Sequence, residues 1–224
     1  MRPLMFAMLL ASPWVENKDF PRDVQEKALA ATYRLKINGN EASAVCVGKM
    51  SGRFYYLTAA HVMGNDDAVD LERFDLGTAK VASKYPVKVV ARWEKEDLAL
   101  LEGGTAAVPC VTICPENKIP SEVPFLGLSV GCTSGQEPQL WLDEVLKAVQ
   151  LKKTKGQPNF VTHWRLGKQS TPGRSGGPLI DKEGRLIGIC SGSDKDNGYY
   201  VHISEIRRFL KDTSYGDLLE TARK

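Results

Sequence analysis

One serine lies in a run of residues whose composition fits nucleophilic catalysis. Ser175 is flanked by Gly173, Gly176 and Gly177, and Pro178 follows. Glycine adopts backbone angles that other residues avoid, so a glycine-rich loop can turn several N–H groups toward one point. Such N–H groups stabilise the negative oxygen that forms when a serine attacks a carbonyl carbon. The run therefore predicts a serine nucleophile, although ordinary turns use the same residue types.

A serine nucleophile needs a base, and the chain has three histidines that could supply one. His61 follows a strand-like segment and the tripeptide Thr-Ala-Ala, so we expect it at a strand end that opens on a cleft. His163 and His202 lie inside alternating runs and are expected to be partly buried strand residues. Asp97 opens an apolar run, where a carboxylate is costly to bury without hydrogen bonds. We therefore predict that Asp97 orients His61 and that His61 activates Ser175.

The elements that must position these residues are mostly strands. Short apolar segments alternate with turn signals, which is typical of an all-β sandwich or barrel. The dipeptides Asn38-Gly39 and Ser51-Gly52 each separate two such segments and indicate hairpins. Four prolines between residues 109 and 124 predict a connector between two lobes, because proline lacks a backbone donor. A terminal amphipathic helix is predicted by apolar residues at helical spacing: Ile203, Ile206, Phe209 and Leu210.

The composition of the chain agrees with a globular protein and excludes several classes. Its 224 residues are 42% hydrophobic and 25% charged, with glycine and proline spread without a period, which excludes collagen, coiled coil and low-complexity disorder. Lys and Arg number 30 against 27 Asp and Glu, a net charge of +3. This balance gives no support to nucleic-acid or membrane-surface binding. No stretch is apolar for the roughly 18 residues that a membrane span needs.

Three ordered segments resemble the signatures of the chymotrypsin-like (trypsin-like) serine peptidases. They are Thr58 to His61, Asp97 to Leu101 and Gly173 to Leu179. The resemblance covers roughly residues 27 to 211 and is closest to compact bacterial members of the stress-protease (high-temperature-requirement) type. It implies an all-β fold of two antiparallel six-stranded β-barrels with a C-terminal helix, and an active site between the barrels.

The resemblance also implies where the parts of the chain begin and end. We expect a short apolar leader over residues 1–22, a first barrel with His61 and Asp97 over 23–114, a Pro-rich connector over 115–124, a second barrel with Ser175 and the terminal helix over 125–212, and a polar tail over 213–224. Within the leader, the apolar run Leu4 to Ala11 follows one positive charge, as in a short secretory signal with a poor cleavage site. We therefore expect a secreted or periplasmic protein, with a cytoplasmic one left open.

By the same resemblance, the site residues take the roles of a serine endopeptidase. Ser175 would attack the scissile carbonyl, His61 would transfer the proton, and Asp97 would hold the imidazole. The backbone N–H groups of Gly173 and Ser175 would form the oxyanion hole. Ser191 falls where the family keeps a serine that supports the aspartate, although an ordinary strand-end serine is an equal interpretation.

The resemblance also assigns residues to substrate binding. The segment of Ser191, Gly192 and Ser193 would pair with the substrate backbone as an added strand. Gln169 falls near the base of the primary specificity pocket, and the plausible walls are Ser170, Ser193 and Gly198. No acidic residue is expected at that base, so a preference for Arg or Lys is disfavoured and a polar or acidic side chain is the working hypothesis.

The sequence departs from the animal enzymes at two positions. Arg174 stands where those enzymes carry an aspartate that pairs with a newly cut N-terminus, so activation by N-terminal insertion is not expected. Val62 replaces the cysteine after the catalytic histidine, so Cys46 is expected to lack a disulfide partner there. The five cysteines are odd in number and widely spaced, and we expect buried free thiols rather than a disulfide framework or a zinc site.

Together these observations predict a serine endopeptidase that acts on polypeptides without a metal or other cofactor. The alternative is a module of the same fold that binds peptides but has lost turnover. Neither nucleic acid nor a membrane span is expected among its partners, and the oligomeric state is left open.

Overall fold

The computed structural model describes residues 14–104, 108–152 and 160–220. The signal-like segment Leu4 to Ala11 lies outside these residues. In the part of the chain that the model describes, no helix is both long and apolar enough to cross a membrane.

The first half of the chain forms a closed antiparallel barrel. A helix, α1 (Arg22–Ala30), precedes it. Its strands are β1 (Thr32–Ile37), β2 (Asn40–Met50), β3 (Arg53–Thr58), β4 (Ala68–Asp75), β5 (Lys80–Trp93) and β6 (Leu98–Gly103). They follow one another around the barrel in the order β1-β2-β3-β6-β5-β4.

Two tight turns fix the register of the first three strands. Asn38 and Gly39 have φ of 48° and 82°, and Ile37 pairs with Asn40 across the turn. The second turn has the same pattern, with φ of 50° at Ser51 and 82° at Gly52. Positive φ at both central residues gives the turn a twist that matches the strands, so both predicted hairpins are confirmed.

Strand β4 was not predicted, because charged residues interrupt its apolar positions. Asp70 lies in this strand. Its carboxylate is 3.0 Å from the Lys84 ammonium on β5, and Glu72 is 2.5 Å from the Arg34 guanidinium on β1. Ion pairs with the neighbouring strands therefore stabilise β4. The strand lacks the regular alternation of apolar residues by which a strand is recognised in a sequence.

The second half of the chain forms the other barrel. Its strands are β7 (Thr112–Ile113), β8 (Phe125–Gly131), β9 (Gln139–Leu151), β10 (Val161–Leu166), β11 (Pro178–Ile180), β12 (Arg185–Ser193) and β13 (Gly198–His202). Six of them close a ring in the order β11-β8-β9-β10-β13-β12, and β7 adds to β12 in parallel. With the helix α2 (Ile203–Asp212) after β13, the predicted double barrel with a C-terminal helix is confirmed.

Both helices pack on the core that the two barrels share. In α2, the apolar residues expected at helical spacing are all fully buried. Helix α1 was not predicted, yet Leu29 of this helix and Phe20 before it join the same core. Residues 213–224 were expected to be a polar tail, but Leu218 and Leu219, in a short 3₁₀ turn over Gly216–Leu219, are buried against the core. Two leucines in a short segment form no repeating pattern, so the sequence alone does not predict that they pack on the core.

The five cysteines are free thiols, as predicted, and four of them are buried. Cys110 is half-buried, and its Sγ lies 2.6 Å from the Sγ of Cys46. Cys46 therefore has a neighbouring cysteine. It is Cys110, and not a residue at position 62, where the animal enzymes carry theirs. Among the described residues, no group of three or more His, Cys, Asp or Glu side chains is arranged to hold a metal ion.

Candidate active site

His61 lies just beyond the end of β3, in a 3₁₀ turn over Ala60–Val62. Its Nδ1 is 2.8 Å from Asp97 Oδ2 and 3.0 Å from Oδ1, and its backbone N–H donates to Oδ1 at 2.9 Å. The imidazole is 37% exposed, whereas the Asp97 side chain is 1% exposed. One carboxylate thus fixes both the main chain and the ring of His61, with the other edge of the ring facing the cleft.

The Asp97 side chain is buried, so its carboxylate needs hydrogen bonds in place of water. It immediately precedes β6, which pairs with β3, so the pairing of these strands brings Asp97 beside His61. Its φ of 62° is unusual for a residue with a side chain. Besides the two bonds from His61, Oδ2 accepts a hydrogen bond from Ser191 Oγ at 2.5 Å. Three donors compensate the loss of water around this buried charge.

Ser175 comes from the second barrel, in the loop between β10 and β11. Its Oγ is 3.2 Å from His61 Nε2, so the imidazole bridges Asp97 and Ser175. The next residue, Gly176, has φ of 84°, and a Cβ there would lie 2.2 Å from the Ser43 carbonyl oxygen. Only glycine allows the two barrels to approach this closely beside Ser175.

The backbone on the other side of Ser175 is turned toward the cleft. The Pro172 carbonyl accepts a hydrogen bond from Ser134 N–H at 2.9 Å. In a trans peptide the N–H points opposite to the carbonyl, so the Gly173 N–H points away from Ser134. In the described part of the chain, neither the Gly173 nor the Ser175 N–H has a hydrogen-bond acceptor. The loop therefore presents two free donors, as an oxyanion hole requires.

Ser43, a buried residue of β2, was not singled out from the sequence. Its N–H donates to the Ser175 carbonyl at 2.8 Å, and its Oγ donates to the Gly173 carbonyl at 2.8 Å. The same Oγ accepts from Cys132 N–H at 2.9 Å, and the Ser43 carbonyl accepts from Thr58 Oγ1 at 2.8 Å. The first barrel thus holds the serine loop through one residue. Its partners in that loop are at least 130 positions away, so no sequence spacing points to it.

Arg174, beside the nucleophile, is fully buried and faces the interior of the second barrel. Its guanidinium lies 4.0 Å from the centre of the Trp141 ring. It donates to Ser129 Oγ at 2.8 Å, Gln139 O at 3.2 Å, Thr133 Oγ1 at 3.4 Å and Gly131 O at 3.5 Å. Ser129 Oγ in turn donates to the buried carboxylate of Asp143 at 2.5 Å. Arg174 thus places a buried positive charge at the position where the animal enzymes carry an aspartate.

A second arginine holds the same region from the first barrel. Arg34 donates to the Gly135 carbonyl and is paired with Glu72. Gly135 ends the 3₁₀ turn over residues 133–135, which packs against Gly173: a Cβ on Gly173 would lie 2.2 Å from the Cys132 carbonyl oxygen. The turn that shapes the free N–H groups is therefore fixed by Arg34 on one side and by Arg174 on the other.

The structure brings the predicted specificity residues close to one another. Ser193 Oγ contacts the Ser170 carbonyl at 3.4 Å, and the Gln169 amide donates to the Lys195 carbonyl. A Cβ on Gly198 would lie 2.8 Å from the Lys168 carbonyl oxygen, so the two walls nearly touch. The Gln169 amide thus joins the segment before Ser175 to the loop between β12 and β13.

The predicted substrate-pairing segment has one open edge. Gly192 and Ser193 pair with β13 on one side, and in the described residues they have no strand partner on the other. A cavity of about 260 Å³, not predicted from the sequence, lies on the opposite side of the catalytic pair. It is lined by Leu35, Ile37, Asn40, Glu41, Ala42, His61, Val62 and Ser175.

Comparisons with known proteins agree with this geometry. The family model for the trypsin-like peptidase domain matches residues 42–189, well over half of the chain. The chain is 24% identical over 214 residues to "Serine protease HtrA-like" of Staphylococcus epidermidis, covering 85% of this chain and 34% of that protein. It is 28% identical over 156 residues to "Serine protease Do-like HtrA" of Lactococcus lactis, covering 67% and 36%. The chain thus spans about a third of the length of these relatives.

Solved structures share the fold at low sequence identity. The inactive-form Ser343Ala mutant of Rv3671c from M. tuberculosis has a TM-score of 0.70 at 18% identity, covering 85% of this chain and 90% of that one. The serine endoprotease from Yersinia pestis has a TM-score of 0.65 at 16% identity, covering 92% and 68%. The predicted resemblance to serine peptidases of the bacterial stress-protease type is confirmed. The chain belongs to the trypsin-like peptidase family.

Proposed function

We propose that the chain is a serine endopeptidase in which Ser175 is the nucleophile, His61 the general base and Asp97 the group that orients His61. One observation carries the proposal: a single imidazole lies within hydrogen-bond reach of a buried carboxylate at Nδ1 and of a serine hydroxyl at Nε2. This arrangement is the one in which a weak serine nucleophile becomes activated. The relatives' names, which describe serine proteases, support the same activity.

The geometry gives each atom a role in peptide hydrolysis. Ser175 Oγ attacks the scissile carbonyl carbon while His61 Nε2 takes the hydroxyl proton. The carbonyl oxygen becomes negative and accepts hydrogen bonds from the Gly173 and Ser175 N–H groups. His61 passes the proton to the leaving amine, and an acyl-enzyme remains on Ser175. Water, activated by the same imidazole, then releases the acid product.

The cleft also suggests how a polypeptide binds. An extended substrate would pair with the open edge of Ser191 to Ser193 as an added strand. Its primary side chain would enter between Ser170 and Ser193, whose walls are joined close to the base by the Gln169 amide. We therefore propose a preference for small, uncharged or polar side chains over Arg and Lys. Cleavage profiling of a peptide library tests this, and a clear preference for Arg or Lys would contradict it.

Labelling with a fluorophosphonate probe tests the activity itself. The probe bonds to activated serines, so we expect wild-type protein to be labelled and to hydrolyse casein, and Ser175→Ala to do neither. Ser121→Ala, which removes an exposed serine elsewhere, is the matched control and should react like wild type. If properly folded wild-type protein takes no label, the proposal is wrong and the alternative, a catalytically silent peptide-binding module, takes its place.

A further inference from the structure

Cys46 and Cys110 lie side by side although 64 positions separate them. Their Sγ atoms are 2.6 Å apart. Cys46 is on β2 and fully buried, and Cys110 lies in the crossing that leads from β6 to β7. Among the described residues, no other two cysteine sulfurs lie within hydrogen-bonding reach of each other. The pair is therefore unlike the remaining three cysteines.

Main-chain contacts hold the two residues together. The Cys46 carbonyl accepts a hydrogen bond from Val111 N–H at 2.9 Å, and the Cys46 N–H donates to the Ala31 carbonyl at 2.9 Å. Residues 110 and 111 are thus docked on β2 before the chain enters β7 in the second barrel. Because the backbone sets the approach, the sulfur contact does not depend on a chance orientation of two side chains.

The two thiols have different surroundings. Burial raises the pKa of the Cys46 thiol, and the hydrogen bond that this thiol donates to Cys110 adds to the effect. The hydrogen bond from Cys46 lowers the pKa of Cys110, and the nearby Lys27 ammonium lowers it further against the effect of partial burial. Cys110 is half-buried and Cys46 fully buried, so a reagent in solution meets Cys110 first. The thiolate is the reactive form of cysteine, which makes Cys110 the attacking group.

We propose that Cys46 and Cys110 are a site of reversible disulfide formation, in which Cys110 attacks a low-molecular-weight disulfide and Cys46 resolves the product. The Cys110 thiolate attacks one sulfur of glutathione disulfide, which forms a mixed disulfide and releases one glutathione thiolate. Cys46 then gives up its proton, its sulfur attacks the Cys110 sulfur, and the second glutathione leaves. Two protein thiols are oxidised to one disulfide, and one glutathione disulfide is reduced to two glutathione thiols.

The cross-link would fasten the crossing between the barrels to β2 of the first barrel. It would close a loop of about 64 residues, and a loop of this length strongly restricts the unfolded chain. Oxidation is therefore expected to raise the melting temperature by about 10 °C in a chain of this size. The inference does not rest on the proposed protease activity, because its readouts are a covalent bond and thermal stability.

Peptide mapping of the full chain tests the bond. The folded wild-type protein is incubated with glutathione disulfide, the remaining thiols are alkylated under denaturing conditions, and the digest is analysed without reduction. We expect a linked pair of peptides that contain Cys46 and Cys110, three alkylated cysteines, and loss of the link after treatment with dithiothreitol. A stable glutathione adduct on Cys110 without the link, or alkylation of all five cysteines, would overturn the proposal.

Matched variants connect the bond to stability. Cys110→Ser changes a half-buried residue and should abolish both the link and the dependence of the melting temperature on oxidation. Cys114→Ser removes a thiol close in sequence, whose Sγ donates a hydrogen bond to the Pro115 carbonyl, and should keep both. If Cys110→Ser still melts at a higher temperature after oxidation, or if linked wild-type protein melts no higher than reduced protein, the proposed fastening is wrong.

Discussion

In the first barrel, His61 and Asp97 are positioned by paired strands and by hydrogen bonds between themselves, whereas in the second barrel Ser175 is positioned by contacts between its loop and other elements. Asp97 receives both of the His61 donors and lies beside it because β3 pairs with β6. The Ser175 loop depends on Ser43 of the first barrel and on the buried side chain of Arg174.

The two halves of the site thus differ in what sets their geometry. In one, Asp97 orients His61; in the other, docking of the two barrels forms the Ser175 loop. The first barrel alone brings His61 and Asp97 together, and the second barrel adds the Ser191 hydroxyl to Asp97, so a change there should act on proton transfer with little effect on structure. The Ser175 half exists only when a turn of the second barrel and a strand of the first barrel meet around Gly173. A change there should act on the shape of the oxyanion hole as well as on stability.

Asp97→Asn should have the largest effect on activity. An amide cannot accept from His61 N–H and Nδ1–H as the carboxylate does, so the imidazole would lose its tautomer and orientation. We expect kcat to fall about 10⁴-fold with little change in melting temperature, as in the serine protease template. Steady-state kinetics with a peptide substrate measures this, and Asp67→Asn, at an exposed position of the same barrel, should leave kcat unchanged. A decrease of less than tenfold would argue against Asp97 as the orienting group.

Arg174→Met should have the next largest effect, on both catalysis and stability. Removing the guanidinium leaves two hydroxyl groups, of Ser129 and Thr133, and two main-chain carbonyl groups without this donor. We expect kcat to fall about 10²-fold, which is the scale for loss of one oxyanion donor, with a much smaller change in KM. Kinetics should be run at a temperature at which circular dichroism shows the variant folded.

The control for Arg174 is Arg207→Met, which removes an arginine of the same barrel that donates to the Cys114 carbonyl. This variant should lose some stability and keep its kcat. If Arg174→Met behaves in the same way, Arg174 only holds the barrel together, and the proposed difference between the two halves of the site would not hold.

His202→Asn should change acid stability alone. Burial lowers the pKa of His202 from 6.5 to about 4; Glu205 opposes this effect and His163 adds to it. As the pH falls from 6.5 toward 4, the unfolded chain binds a proton that the folded chain does not, so stability is lost in this window. At pH 4.5 the loss is about 2 to 3 kcal/mol. Asparagine retains an acceptor for Ser204 N–H at the start of α2.

Urea unfolding at pH 7 and pH 4.5 measures this loss. Wild type should lose about 2 kcal/mol more than His202→Asn between the two pH values. The kcat at neutral pH should be the same for both proteins, because His202 lies outside the groups that shape the serine loop. A change in kcat would mean that the site depends on the second barrel as a whole rather than on the contacts around Gly173.

The sequence predicted the features that repeat along the chain or lie close together in it. Hairpin dipeptides, apolar strands and the spacing of the residues of α2 were enough for an all-β fold with a terminal helix, and the resemblance to a known family added the double barrel. The three motifs were enough to choose His61, Asp97 and Ser175, which the structure places within hydrogen-bond reach of one another.

The remaining features depend on contacts between distant residues, which leave no pattern in one sequence. Strand β4 is stabilised by charges paired across strands rather than by apolar alternation. Ser43 is an ordinary serine in a strand until the barrels meet, and Arg174 becomes a buried cation only because Trp141 and several carbonyls surround it. Cys46 and Cys110 become neighbours only when the crossing between the barrels docks on β2.

The hydrogen bonds of Ser43 determine at which stage of folding the serine loop can form. Because its N–H and hydroxyl reach Ser175 and Gly173 only after the barrels dock, a chain in which the first barrel alone has folded holds an oriented histidine without a formed nucleophile loop. Such a partly folded molecule has no oxyanion hole and cannot cleave its neighbours. The competent serine loop is therefore a product of the docking of the two barrels.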